Sequence, residues 1–132
     1  MKNMLSTAYV AFVVAGAMVT PVHAVSEGDR TALHAAMLQH IDRQAVNGTY
    51  LHMNLANGAV ETYVPAKAHP MMFEFGEHYV LCTDFKDKDG KNAMVDFYVA
   101  KRGKGYAIFQ TEINNRTPLM KLMDSGKVKA IN

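Results

Sequence analysis

Apolar residues recur every four positions near the start of the chain, at Leu33, Met37, Ile41 and Ala45. That spacing draws one stripe along an α-helix, which Leu38 widens before Asp42, Arg43 and Gln44 return to the polar side. Ser26 or Asp29 offers the oxygen that caps the first turn, and Asn47-Gly48, tolerant of positive φ, offers a stop. The helix so predicted has about 16 to 20 residues and is roughly 27 Å long.

After Gly48 the period falls to two. Thr49 to Leu55 sets Tyr50, His52 and Asn54 against Leu51, Met53 and Leu55. Asn57-Gly58 then signals a tight hairpin, and Val60 to Val64 returns as its second strand. The stretch from Pro65 to Pro70 breaks the sheet, because proline donates nothing to a ladder. Met71 to Phe75 forms another strand, closed by Gly76-Glu77. His78 to Phe85, Ala93 to Ala100 and Tyr106 to Ile113 follow, joined by polar turns, as an antiparallel meander. Thr117-Pro118 reads as an N-cap with proline at the first helical position, and Leu119, Met120, Leu122 and Met123 make a short amphipathic helix closed by Gly126. Lys127 to Asn132 is a tail in which Val128 and Ile131 could dock. The expected fold class is therefore α+β: an N-terminal helix packed on an antiparallel sheet of about five strands, with a short C-terminal helix. Parts of that order resemble cystatin-like and PAS-like modules on architecture alone; no motif identifies either, and architecture does not imply function.

The segment ahead of the helix changes the picture of where the protein works. Lys2, the mostly apolar run Met4 to Thr20, Pro21 and Val22-His23-Ala24 have the tripartite form of a secretory signal peptide cleaved after Ala24. The run is short for a membrane span of about 20 residues. Residues 1–24 are thus expected to be removed and residues 25–132 to form one α+β domain, periplasmic or extracellular, with no stable membrane span after processing. The full chain of 132 residues carries 14 basic and 12 acidic side chains; losing Lys2 alone takes the balance from +2 to +1. That is too little for nucleic-acid binding. Its 49% hydrophobic and 20% charged residues place it among globular chains.

A single cysteine, Cys82, rules out an internal disulfide, so the core must hold the domain together. Val80 and Leu81 precede it in an apolar stretch that favours a buried thiol; a metal ligand, a nucleophile or a bond to another chain are its other uses. Histidines and methionines are numerous beyond the leader, and such ligands suit copper or zinc. His69, Met71 and Met72 form the best local cluster, while His78 and Cys82, four apart on one strand face, stand about 13 Å from each other. No pair has zinc-motif spacing, methionine also serves as adaptable core filler, and no motif implies a cofactor. The turn starting at Asp87 fails as a calcium loop, having Asn92 and Tyr98 where glycine and glutamate are needed.

No nucleophile elbow, zincin helix, Cys-x-x-Cys pair or phosphate loop is present. The informative surface is a sheet face of mixed polarity. Ala93, Val95, Phe97 and Val99 alternate with Met94, Asp96, Tyr98 and Ala100, and the uniformly apolar set is the better core. A ligand-binding set of Tyr79, Met94, Asp96, Tyr98 and Arg116 follows, with a carboxylate among apolar walls and an arginine able to clamp Asp96, Glu112 or an anion. Tyr106, Ile108, Gln110 and Glu112 read as one face of the last strand, in a register against Ala93 to Ala100 that sequence leaves open. These features describe a small exported, non-catalytic binding or accessory domain that recognises a small molecule or another exported protein. The alternatives are a homodimerising module using a free sheet edge, a copper- or zinc-binding periplasmic protein, and a thiol-dependent enzyme.

Overall fold

In a computed structural model the protein is described over residues 25–66 and 71–131, together with Gly16. The leader with its cleavage site at Ala24, His69 and most of the Pro65 to Pro70 break lie outside the described residues. The elements are α1 (Glu27–Gln44), β1 (Ala45–Val46), β2 (Thr49–Asn54), β3 (Ala59–Pro65), β4 (Met71–Phe75), β5 (His78–Lys86), β6 (Asn92–Arg102), β7 (Gly105–Ile113), α2 (Thr117–Asp124) and β8 (Lys129–Ile131). The α+β class, the N-terminal helix and the short C-terminal helix are as expected, but the antiparallel sheet has eight strands rather than five. Among the described residues, no helix is long and apolar enough to cross a membrane.

Helix α1 starts where Ser26 Oγ accepts from the Asp29 N–H at 3.0 Å, satisfying one free donor of the first turn. It buries Leu33, Met37 and Ile41 of the stripe read from the sequence, whereas Ala45, the fourth member of that stripe, begins β1. It ends at Gln44, before Asn47-Gly48. Those two residues, with φ of 51° and 77°, form instead the two-residue turn between β1 and β2. Positive φ at both central positions matches the twist of a tight hairpin. Asn57-Gly58 belongs to a longer loop, because Asn54 pairs with Ala59 and residues 55–58 connect them. Asn54 O accepts from the Gly58 N–H at 2.7 Å, and Gly58 sits at φ 71°.

Strand β5 organises the sheet. It pairs with β6 along one edge; β4 and β3 share the other, β4 beside His78 to Cys82 and β3 beside Phe85 and Lys86. The β2–β3 hairpin runs on from that corner, and β8 joins the outer edge of β4. The tail thus docks as a strand, through Lys129, Ala130 and Ile131. The sheet curls, so that β2 and β7 line shared clefts although they are not paired.

The central strands are buried on both faces. The inner face, under α1, joins Leu33, Met37 and Ile41 to Tyr50, Tyr63, Leu81, Phe85, Val95, Phe97 and Val99. The outer face packs Phe73, Val80, Cys82 and Tyr98 beneath Leu119 of α2. The apolar alternation Ala93, Val95, Phe97, Val99 is therefore core, as expected. A bulge between Tyr98 and Val99 skips Phe109, since Tyr98 pairs with Gln110 and Val99 with Ile108. Tyr106 and Ile108 consequently join the inner core, whereas Gln110 and Glu112 lie opposite Tyr98 and Asp96 on the outer face. The four do not share one face, because a bulge reverses the alternation. Helix α2 is capped at Arg116 rather than Thr117, with Pro118 in its first turn.

Candidate functional site

The mixed face read from the sequence is largely covered. Asp96 is only 1% exposed and Tyr98 5%, both lying on the side that α2 overlies. Met94 is partly exposed at the rim. Tyr79 pairs with Val99 and points to the opposite side, where its ring meets Tyr106 edge-on at 5.6 Å. The five residues put forward as one ligand-binding set thus divide between two faces. The residue opposite Asp96 on β5 is Cys82.

Arg116 does clamp Asp96. Its Nε donates to Oδ2 at 3.2 Å and an η nitrogen donates to Oδ1 at 3.3 Å, a two-pronged fork. The same η nitrogen lies 3.4 Å from Cys82 Sγ. The thiol in turn bonds the Asp96 carboxylate; burial, that bond and the nearby negative charge push its pKa far up. A thiol nucleophile must ionise, and Cys82 is held in the opposite state. The Tyr98 hydroxyl is buried without a hydrogen-bond partner, and burial followed by the Asp96 charge pushes its pKa up to about 12. The cluster links the base of α2 to β5 and β6, which is a structural task.

The metal candidates separate as well. Met71 pairs with Cys82 on the outer face, whereas Met72 turns into the inner core. His78 packs against Phe75 and Phe109, and His69 lies outside the described residues. Among the described residues, no group of three or more His, Cys, Asp or Glu side chains could hold a metal ion.

The open concave surface lies elsewhere, between the β2–β3 hairpin and the last strand. A cleft of about 530 Å³ is lined by β2 and β3 on one wall and by residues 110–115 on the other. A second hollow of about 440 Å³ continues it past His40, Tyr50 and Ile108. Consecutive residues of β2 and β7 line both, as strand edges do and strand faces do not. Strand β7 pairs with β6 alone, so its outer edge has no strand partner among the described residues.

Two carboxylates stand in this cleft. The Glu61 side chain accepts from Asn54 Nδ2 at 3.0 Å and from the Tyr63 hydroxyl at 2.8 Å. Those two bonds hold its pKa below the usual carboxylate range, while burial and Glu61 together push Tyr63 up to about 12. Glu112 accepts from Gln110 Nε2 and Asn115 Nδ2, both at 2.9 Å. Both acids are thus oriented by neutral donors, and no lysine or arginine lines the cleft. At its far end the His40 Nε2 lies 3.3 Å from the Tyr50 hydroxyl. Burial there, followed by the Arg43 charge, lowers the His40 pKa.

Set against protein-family models, curated proteins and solved structures, the chain matches none of them. The cleft walls had been visible in the sequence only as the polar half of an alternation, Tyr50, His52 and Asn54, and as Gln110 and Glu112. That the hairpin folds over toward β7 depends on the sheet's curl, which alternation does not encode.

Proposed function

We propose that this is an exported, non-catalytic recognition domain that binds an extended, positively charged segment of another exported protein along the outer edge of β7. The observation that carries this reading is the stretch Ile108–Ile113 of β7, which has no strand partner on its outer side among the described residues and lines both clefts. An unpaired strand edge presents a row of backbone donors and acceptors, and an added strand satisfies them. Glu61 and Glu112 supply the charge preference, because neutral side chains orient them and no lysine or arginine in the lining offsets them. Met53 and Leu55, both exposed at the cleft wall, add apolar contact. Bond making has no support in the cleft, and the one thiol is buried outside it.

The test is an NMR titration with two ten-residue peptides, one alternating lysine with valine and the other glutamate with valine. The lysine peptide should shift the amides of Ile108–Ile113 and of β2, with affinity falling as salt rises. Glu61→Gln with Glu112→Gln should weaken it several-fold. Equal binding of both peptides, or shifts confined to another surface, would reject the reading.

A further inference from the structure

Two strand edges face each other across the cleft, and they run the same way. Each step from β2 to β3, β5, β6 and β7 is antiparallel, so β2 and β7 share one direction. The lining agrees, since residues 50–53 stand with 108–111 in one hollow and 52–56 with 110–115 in the other. Strand β1 covers the start of that edge of β2, opposite Thr49 and Tyr50, and runs antiparallel to it. Past Tyr50 no strand continues the line of β1 among the described residues.

Backbone groups of an antiparallel strand point alternately to its two sides. The Asn114 N–H donates to Met94 O on β6, so Glu112 turns to β6 as well, and Thr111 and Ile113 turn to the cleft. On β2, Val46 and Thr49 flank a two-residue turn and so form a hydrogen-bonded pair. Leu51 and Met53 point their backbone groups to that same side, where β1 has ended. Each edge thus offers a row of N–H and C=O groups to one gap. The gap is also narrow, because the Tyr50 hydroxyl of β2 reaches the Thr111 side chain of β7. Strands on either side of a single intervening strand stand about 9.5 Å apart, a width that such a contact spans.

On the reading of the cleft as a peptide site, we infer that the gap is the place of one missing strand. The bound segment fills it, antiparallel to both β2 and β7 and bonded to each. One segment suits both neighbours because they share a direction. The slot is short: the bulge at Phe109 ends its regular part on β7, and His40 and Gln44 of α1 line that end. About five residues of the segment enter, roughly 17 Å of strand. Side chains on one face of it meet Glu61 and Tyr63, and those on the other meet Met53 and Glu112. A basic residue is therefore matched on either face. Proline has no place in the segment, because every N–H has a neighbour to bond.

The experiment is an NMR titration of protein purified after expression of the full chain, with three ten-residue peptides. One alternates lysine with valine; the others are the same peptide N-methylated on the backbone at every lysine or at every valine. A segment with two neighbours uses every N–H, so both methylated forms should bind at least about tenfold more weakly. A segment added to β7 alone leaves alternate N–H groups in water, and one methylated form would then bind as tightly as the parent. That result overturns the inference and leaves recognition along the β7 edge standing. A parent peptide that does not bind in the cleft overturns both. Amide exchange gives an independent readout. Met53 and Thr111 should slow together in the complex, and slowing on β7 alone overturns the inference. A nitroxide at the peptide's N-terminus should broaden residues 54–56 and 113–115; broadening beside Tyr50 and Ile108 instead overturns the antiparallel placement.

Discussion

Replacing Arg116 by methionine keeps the length and the apolar stem of the side chain and removes the fork that holds Asp96. The carboxylate is 1% exposed, and Arg116 is itself 33% exposed at the mouth of the cluster. Asp96 would be left with the Cys82 thiol as a donor, and breaking a buried pair from one side typically costs about 3–5 kcal/mol. Water reaching the open edge lowers that figure, and so does a second escape, uptake of a proton by the lone carboxyl. Holding a carboxyl neutral at pH 7, against an unfolded-state pKa near 3.9, costs about 4 kcal/mol; at pH 5 it costs about 1.5 kcal/mol. The expected loss is therefore about 2–4 kcal/mol at pH 7. With a urea slope of about 1.5 kcal/mol per molar, the midpoint falls by roughly 1.3–2.7 M. The sign follows from linkage: in the variant the folded state binds the extra proton, so its stability drops as pH rises from about 4 toward 7. Urea melts of the two proteins at pH 5 and pH 7 test this. The gap should shrink on acidification, and adding Asp96→Asn to the variant should recover most of the loss at pH 7. A gap equal at both pH values, or a double variant no better than the single one, would refute the account of Asp96 as a buried charge that depends on Arg116.

Three further outcomes are expected. Burial holds the His40 pKa below its unfolded value near 6.5, so stability should be lost as pH falls through that value toward the folded one; urea melts of His40→Gln should be flatter over the same interval. Cys82 in the folded protein should react with iodoacetamide at pH 8 at least about a hundredfold more slowly than in urea, since reaction needs the α2 side to open; equal rates would show the thiol to be accessible. Leu119→Ala, which empties the fully buried contact of α2, should cost about 2–5 kcal/mol and speed proteolysis within residues 117–131, whereas Met120→Ala, on the exposed side, should change stability by less than about 0.5 kcal/mol in chemical melts.

The helix and the six longer strands were legible because each carries its own period: Leu33, Met37 and Ile41 at four, and Ala93, Val95, Phe97 and Val99 at two. Strands β1 and β8 were not legible. Ala45–Val46 and Lys129–Ile131 are too short to show a period, and it is neighbours that make them strands, β2 in one case and β4 in the other. The two Asn-Gly pairs exchanged the roles expected of them for a similar reason. Both permit positive φ, and only the position of the strand ends decides that Asn47-Gly48 closes a two-residue turn while Asn57-Gly58 completes a longer loop. The clamp on Asp96 could be named from residue chemistry, because an arginine beside the terminal helix and a carboxylate on an apolar strand are each conspicuous. Its burial could not, since that depends on α2 folding back over β5 and β6.

The hairpin shows where alternation stops being informative. A period of two separates Tyr50, His52 and Asn54 from Leu51, Met53 and Leu55, but it does not say which set faces the core. Transfer energies alone would send leucine and methionine inward. The tertiary structure chooses the other set because Tyr50 and Tyr63 fill a wide space beneath α1 that aliphatic side chains would leave partly empty. The Tyr50 ring lies 5.1 Å from Phe85 and 6.4 Å from Phe97, and Tyr63 lies 6.4 Å from Phe85. Their hydroxyls reach polar partners at the margin, His40 for one and Glu61 for the other. Two aromatic rings thus settle the orientation of the whole ribbon, and once they are inside, every second residue of β1, β2 and β3 is obliged to be outside. An apolar outward set is the consequence: Met53 and Val60, opposite each other, are 55% and 60% exposed among the described residues.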